Sequence, residues 1–262
     1  MSVLCVVVDV VGVTQLDDVV YVVCHRSSTI RRFNATTHQP LTNINVKDLK
    51  LPWDIVACEQ TSQLFVAGDW ECVWRVSSDG TDIEHWLPKS PDDDTFRPDK
   101  LSVTSTRLLV TTFDTRQLIQ FDADGDELRR VQLPDHMDLV HAVESPTGTF
   151  VVSRFDKQLE QCDVVEVNTG DEVLRQFSGS RLPSLGRTTH VAVDSHGNIF
   201  VADGQNHRIL LLDDHLSLRR VIIDEHQLNY KQPQRLCYRE DKGQLLVALD
   251  YRSVLVFDVL CR

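Results

Sequence analysis

Five short polar pairs stand at the starts of apolar runs in this sequence: Trp53-Asp54, Asp99-Lys100, Asp138-Leu139, Thr189-His190 and Gln234-Arg235. Brought together, their three carboxylates and one histidine have the donor types that calcium or zinc takes, and a metal there would give hydrolase or lyase chemistry. Lys100 and Arg235 oppose that assignment, because each competes with a cation for the same carboxylates. The simpler reading of the five pairs is a belt of ion pairs. A second set follows other apolar runs: His25, Arg26, Trp70, Phe113, Arg116, Arg154, Phe155, Lys157, His207, Arg208, Tyr251 and Arg252. Aromatic and arginine side chains on exposed turns are the composition of a recognition surface, since they supply much of the energy at binding hot spots. The competing assignment for Arg116, Arg208 and Arg252 is structural, with Asp114, Asp203 or Asp250 pairing to lock the turns. No Gly-rich phosphate loop and no nucleophile elbow occur, and no Ser, His and Asp stand at a spacing that marks a triad.

These side chains need a scaffold, and it is legible from residues 190 to 213. Three apolar runs are separated there by Ser195-His196-Gly197-Asn198 and Gly204-Gln205-Asn206-His207, both rich in turn formers, so the stretch predicts three antiparallel strands. The pattern recurs. The second-strand valine falls at Val22, Val66, Val110, Val151, Val201 and Val247, in steps of 44, 44, 41, 50 and 46 residues. A third-strand apolar residue, usually followed by a short polar one, falls at Phe33, Val76, Phe121, Val167, Leu212 and Phe257, in steps of 43, 45, 46, 45 and 45. Repeats of about 40 to 50 residues with four strands each define a β-propeller. The expected fold is therefore all-β, one six-bladed propeller over residues 1–262 with no internal boundary. The 41-then-50 irregularity predicts an insertion near Asp156 to Asp163 in the fourth repeat. The last repeat supplies only three strands, and Val3 to Val8 has no partner in the first, so the N-terminal strand is expected to complete the last blade and close the ring.

Val201-Ala202-Asp203, Asn206-His207-Arg208-Ile209 and Leu212-Asp213 resemble the NHL repeat. At the Val-Ala-Asp aspartate the other repeats carry Cys24, Gly68, Thr112, Ser153 and Leu249, so the sharp motif occurs once while the spacing covers the whole chain. The resemblance implies a six-bladed propeller of the kind found at the C-terminus of tripartite-motif ubiquitin ligases, where it selects the substrate. It also implies the single-stranded RNA binding seen in some members, on the face carrying the second-to-third-strand turns. The RING, B-box and coiled-coil segments of those ligases are not in this sequence.

Composition narrows the choice. The chain carries 27 basic and 39 acidic residues, a formal charge of −12, and at the second-to-third-strand turns Arg26, Arg116, Arg154, Lys157, Arg208 and Arg252 are roughly balanced by Asp69, Glu71, Asp114, Asp156 and Asp250. Attraction to phosphates is then weak at physiological salt, which ranks RNA below protein as partner. Seven cysteines stand singly without a Cys-x-x-Cys pair, which is the usage of a reducing compartment; the N-terminal apolar run is interrupted by Asp9 and is neither a membrane span nor a good signal peptide. The acidic run Pro91-Asp92-Asp93-Asp94 reads as a solvated loop. The expectation is a cytoplasmic, monomeric, non-catalytic recognition propeller with no cofactor. Its partner is a protein, with single-stranded RNA as the alternative, and neither DNA nor membrane is expected. A metal-dependent lactonase-like or lyase-like enzyme is the second alternative.

Overall fold

The computed structural model describes residues 2–6, 9–69, 71–88, 96–134, 136–170, 172–178, 185–186, 188–250 and 252–259, with backbone alone for Cys5, Val6, Thr188 and Thr189. Blade 1 is β2 (Val10–Leu16), β3 (Val19–Cys24), β4 (Thr29–Asn34) and β5 (Pro40–Asn45). Blade 2 is β6 (Pro52–Cys58), β7 (Gln63–Gly68), β8 (Cys72–Ser77) and β9 (Ile83–Leu87). Blade 3 is β10 (Pro98–Thr104), β11 (Arg107–Thr112), β12 (Gln117–Phe121) and β13 (Glu127–Gln132). Blade 4 is β14 (Met137–Glu144), β15 (Phe150–Asp156), β16 (Gln161–Val167) and β17 (Val173–Phe177). Blade 5 is β18 (Thr188–Val193), β19 (Ile199–Asp203), β20 (Arg208–Leu212) and β21 (Leu218–Ile223). Blade 6 takes β22 (Pro233–Arg239), β23 (Gln244–Leu249) and β24 (Ser253–Asp258) from the end of the chain and β1 (Ser2–Val6) from its start. The innermost strands contact one another in sequence, and β2 touches both β6 and β22, which closes a six-bladed β-propeller.

The core lies between the blades. Each apolar cluster joins two neighbours; Val66 and Val76 of blade 2, for example, pack with Val11, Tyr21 and Ile30 of blade 1. The repeating valine and its third-strand companion are the residues of each blade that face the preceding one, which is why their spacing is so regular. In blade 4 the equivalent valine is Val152, which packs toward blade 3, whereas Val151 faces blade 5. Second strands are buried on both faces, so adjacent valines fit equally well and the pattern alone is ambiguous by one residue.

In blades 1, 3, 4 and 5 the polar residue after the third-strand apolar position caps the next turn. Asn34 Oδ1 accepts from the Thr36 and Thr37 amides, at 3.0 and 2.7 Å; Asp122 Oδ1 accepts from Asp124 and Asp126, Asn168 from Gly170 and Glu172, and Asp213 from His215 and Ser217. These side chains satisfy backbone donors that the tight turn leaves unpaired. The expected insertion in blade 4 lengthens a ladder instead of a loop: β15 and β16 pair from Phe150↔Val167 out to Asp156↔Gln161.

Ring closure rests on β1, which pairs antiparallel with β24, and on Leu4, which is buried against blades 6 and 1. Replacing Leu4 by alanine is expected to cost about 2–5 kcal/mol, lowering the melting temperature by several degrees, while Val3→Ala, at an exposed position of the same strand, stays within about 0.5 kcal/mol. Thermal melts of the two variants check this; equal melting temperatures would mean that β1 does not close the ring.

Candidate functional site

The strand alternation sends the second-to-third-strand turns and the blade-to-blade connections to one face, called here the turn face. The described residues of the nominated set divide sharply there. Phe113 is 54% exposed at the tip of the blade 3 turn, held by its amide on Arg97 O at 2.9 Å. Arg26 and Arg252 are exposed, and His25, Arg116 and His207 are partly so; Arg26, Arg116 and His207 have φ of 62°, 54° and 52°, the left-handed conformation that tight turns impose. His25 packs on Trp53, ring centroids 4.7 Å apart. Phe155 is half-buried against the layer between blades 4 and 5, and Lys157 is exposed and paired to Asp138 at 2.6 Å. Arg154 and Arg208 are not at the surface: Arg208 binds Asp203 at 2.7 Å and Arg154 binds Asp163 through two nitrogens, at 2.8 and 3.2 Å. Trp70 and Tyr251 lie outside the described residues, as do Asp92, Asp93 and Asp94.

The two buried pairs occupy one position in the repeat. Asp203 stands opposite Arg208 across β19 and β20, and Arg154 stands opposite Asp163 across β15 and β16. Both Asp203 and Arg154 face the last inner-strand residue paired before a register shift, at Thr188 and Leu139. The blade 4 counterpart of Asp203 is therefore Arg154, not Ser153, and the pair is kept with its charges exchanged. Asp203 also receives both contacts of Asn206 Nδ2, at 3.0 and 2.9 Å, and the Gly186 amide at 3.1 Å. The sharpest motif of the sequence thus clamps a turn and a connection together.

Two exposed apolar residues on the same face were not among those nominated from the sequence. Leu159, 66% exposed, tips the lengthened β15–β16 hairpin, and Tyr230, 59% exposed, lies in the connection from blade 5 to blade 6. Only the extra hairpin length pointed toward Leu159.

At the axis each inner strand carries a bulge, and the residue after it points to the centre: Gly12, Asp54, Lys100, His141, His190 and Arg235. Four of the five polar pairs named from the sequence meet here. Asp138-Leu139 does not, because β14 begins two residues earlier than its counterparts, and its axial residue is His141. In blades 2, 3 and 6 a proline stands two residues ahead, at Pro52, Pro98 and Pro233, a recurring mark of this position. Arg235, almost wholly buried, donates to Val11 O at 3.0 Å and forms an ion pair with buried Asp54. Asp54 accepts the Leu101 amide at 2.8 Å, and Leu101 O lies 3.2 Å from His141 Nε2. His141 Nδ1 accepts the Val191 amide at 3.3 Å, so its proton sits on Nε2 and is donated to Leu101 O. His190 stacks on His141 with ring centroids 3.7 Å apart.

This belt does not fit a metal. Asp54 is taken by Arg235, Asp99 by Lys100 at 3.1 Å and Asp138 by Lys157, and among the described residues no three metal-ligating side chains converge.

No protein-family model and no curated protein matches the chain. Among solved structures it is similar to Kuenenia stuttgartiensis hydrazine synthase, with TM-score 0.69 and 14% identity over 96% of this chain and 84% of that one. It is also similar to a nidogen/laminin complex structure, with TM-score 0.63 and 14% identity over 84% and 81%. A third is a catalytically inactive virginiamycin B lyase of Staphylococcus aureus with quinupristin, with TM-score 0.65 and 12% identity over 98% and 80%. At such identities the shared property is the six-bladed propeller itself, a fold that carries both catalysts and binding proteins.

Burial, with Lys100 adding repulsion, brings His141 down to about 3 and holds His190 well below its ordinary value, the nearby His141 contributing. Both rings are neutral in the folded protein but protonate near pH 6.5 when unfolded. Stability is therefore full above that pH and falls as the pH drops from 6.5, by about 1.4 kcal/mol per unit for each ring. Urea denaturation between pH 7 and 4.5 is expected to show this slope, with a shallower one in His141→Asn; identical slopes would show that the belt histidine does not titrate on unfolding.

Proposed function

We propose that this propeller is a non-catalytic recognition module that binds a protein partner through its turn face. The observation that carries the reading is the exposure of Phe113, Leu159 and Tyr230 on one face; these are the three most exposed large apolar side chains among the described residues, while the other exposed ones, such as Leu41, Leu128 and Leu174, lie on the terminal and outer strands. Large apolar side chains held at the tips of hydrogen-bonded turns bury area on contact at little entropic cost, which is the economy of a hot spot. The nidogen/laminin structure supports the reading as a protein complex that includes a similar fold. Within the NHL-like resemblance, this face would choose the substrate of a tripartite-motif-type ligase in a reducing cytoplasm; the free thiols of Cys24, Cys58, Cys72, Cys162 and Cys237 accord with that compartment.

RNA stands lower. Lys157 pairs with Asp138, Arg97 with Asp114 at 3.0 Å, and Arg154 and Arg208 are withdrawn into buried pairs, so three of the six cations nominated from the sequence are engaged by carboxylates instead of phosphates.

The test is the combined variant Phe113→Ser, Leu159→Ser and Tyr230→Ser in crosslinking and co-purification from the native cell. Loss of a specific partner by at least tenfold, with stability within about 0.5 kcal/mol per site of the parent, is expected. Unchanged capture would remove this face from consideration, and binding of a randomised single-stranded RNA pool that weakens steeply with salt would put RNA in its place.

A further inference from the structure

On the third strand, the residue just before the repeating apolar position is Arg32, Arg75, Gln120, Glu166, Leu211 and Val256 in blades 1 to 6. In blades 2, 3 and 4 it bonds to the outer strand, Arg75 with Glu84, Gln120 with Arg129 and Glu166 with Arg175. One member of each pair goes on to the following blade: Arg75 donates to Ala123 O at 3.2 Å, Gln120 to Glu144 at 2.7 Å and Arg175 to Asp214 O at 3.4 Å. These bridges cross the grooves between blades, away from the turn face. Blade 5 has Leu211 instead, opposite Arg220, and Leu211 turns into the apolar layer between blades 5 and 6. Where Arg175 crosses between blades 4 and 5 the groove holds about 310 Å³. Between blades 5 and 6 it holds about 680 Å³, in the middle of the range of ligand pockets, about 300–1,000 Å³. Blade 6 also has an apolar residue here, Val256, but Lys242 crosses to Asp18 at 2.8 Å and the groove is about 250 Å³.

The lining of the open groove decides what it can hold. Its floor is Leu211, Val259 and the half-buried Tyr238, and its walls set Asp194, Asp214 and Glu240 against Arg219. Asp194 is engaged in its own turn by the His196 and Asn198 amides at 3.0 and 2.8 Å, and Glu240 by the Ser195 amide at 3.1 Å. The carboxylate of Asp214 has no hydrogen bond or ion pair among the described residues, and Arg219 comes no nearer to a carboxylate than 3.9 Å, at Asp213. Exposed His196 stands 3.4 Å from Glu240; even with its ring protonated, the carboxylates outnumber the cations of the lining by three to two. This wall therefore attracts a cation and repels an anion. The floor selects the kind of cation: one with an aliphatic stem that covers apolar surface while its charged head stays at the wet rim, as lysine and arginine do. The volume leaves room beyond one side chain for the peptide that carries it. We propose that the groove between blades 5 and 6 binds a lysine or arginine side chain of an extended segment of a partner protein, its stem on Leu211 and Val259 and its head at Asp214. The groove faces away from the turn face, so binding here and partner binding there can fail independently.

The test uses blocked pentapeptides of alanine with lysine, arginine, norleucine or glutamate at the centre, titrated into the intact protein while the methyl resonances of Leu211 and Val259 are followed. Saturable shifts are expected for the lysine and arginine peptides, with affinity about threefold or more above the norleucine peptide, which keeps the stem without the charge, and above the glutamate peptide. Leu211→Arg, which gives blade 5 the residue of blade 2, is expected to abolish the shifts of Val259. Asp214 is exposed, so Asp214→Lys alters the wall without touching the core, and it is expected to weaken the lysine peptide about threefold or more. Absence of a saturable shift with both basic peptides overturns the proposal, as does equal binding of the norleucine and lysine peptides or unchanged affinity in Asp214→Lys.

Discussion

The buried pair between Arg235 and Asp54 is the contact that ties this ring together across blades that are not neighbours. The apolar layers bind each blade only to its two neighbours, and all but the layer between blades 6 and 1 would do so as well in an open arc. The axis is where a blade can reach beyond its neighbour, and Arg235 of blade 6 does so, crossing blade 1 at Val11 O to reach blade 2. The crossing needs a glycine: a Cβ on Gly12 would stand 2.7 Å from the Ile55 amide nitrogen. From Asp54 the hydrogen bonds run on through Leu101 and His141 to Val191, so one chain of contacts touches all six blades. Burying two charges costs several kcal/mol each before their attraction returns it. The gain specific to this site is geometric, since blade 6 and blade 2 can both be satisfied only when the ring has closed at six.

The periphery fastens each blade to the next by a separate polar contact. Tyr21 Oη donates to Ser78 O at 3.0 Å between blades 1 and 2, Arg75 to Ala123 O between 2 and 3, Gln120 to Glu144 between 3 and 4, Arg175 to Asp214 O between 4 and 5, the Ser195 amide to Glu240 between 5 and 6, and Lys242 to Asp18 between 6 and 1. These lie on the face rich in carboxylates. Much of that acidity is spent on structure, because Asp79, Asp122, Asp194 and Asp213 accept backbone amides in their turns. The net charge of −12 therefore speaks to turn chemistry more than to a partner of opposite charge.

What the sequence disclosed and what it withheld divide along the same physical line. Spacing is imposed by contact with the preceding blade, so six repeats, the strand order and the terminal closure were all readable. Burial at the end of a strand is not imposed by spacing. Arg154 and Arg208 sit at turn positions like those of Arg26 and Arg252, yet they are buried because a carboxylate stands opposite them in the ladder. A one-residue ambiguity at Val151 and Val152 was enough to hide this, since it aligned Ser153, and not Arg154, with Asp203. Likewise the two extra residues at the start of β14 placed Asp138 on the axis in the sequence reading, when that place belongs to His141.

The NHL-like motif then takes a more limited meaning. Asp203, Asn206 and Arg208 are consumed in holding a turn and a connection, so a close match to the motif marks a turn whose polar side chains are already engaged. Blade 3 has Thr112 at this position, which receives the Gln117 amide at 3.0 Å and bonds Thr115; a hydroxyl caps the turn and leaves Phe113 at its tip facing solvent. Blade 4 keeps a pair with reversed sign and carries its hairpin farther out, to Leu159. Blades 3 and 4, two of the five that depart from the motif, each present an apolar side chain at this turn, whereas the motif turn of blade 5 presents none. A turn can display a side chain only where its own backbone and polar groups have been satisfied by something else, which is what Thr112 does in blade 3 and the Arg154–Asp163 pair in blade 4.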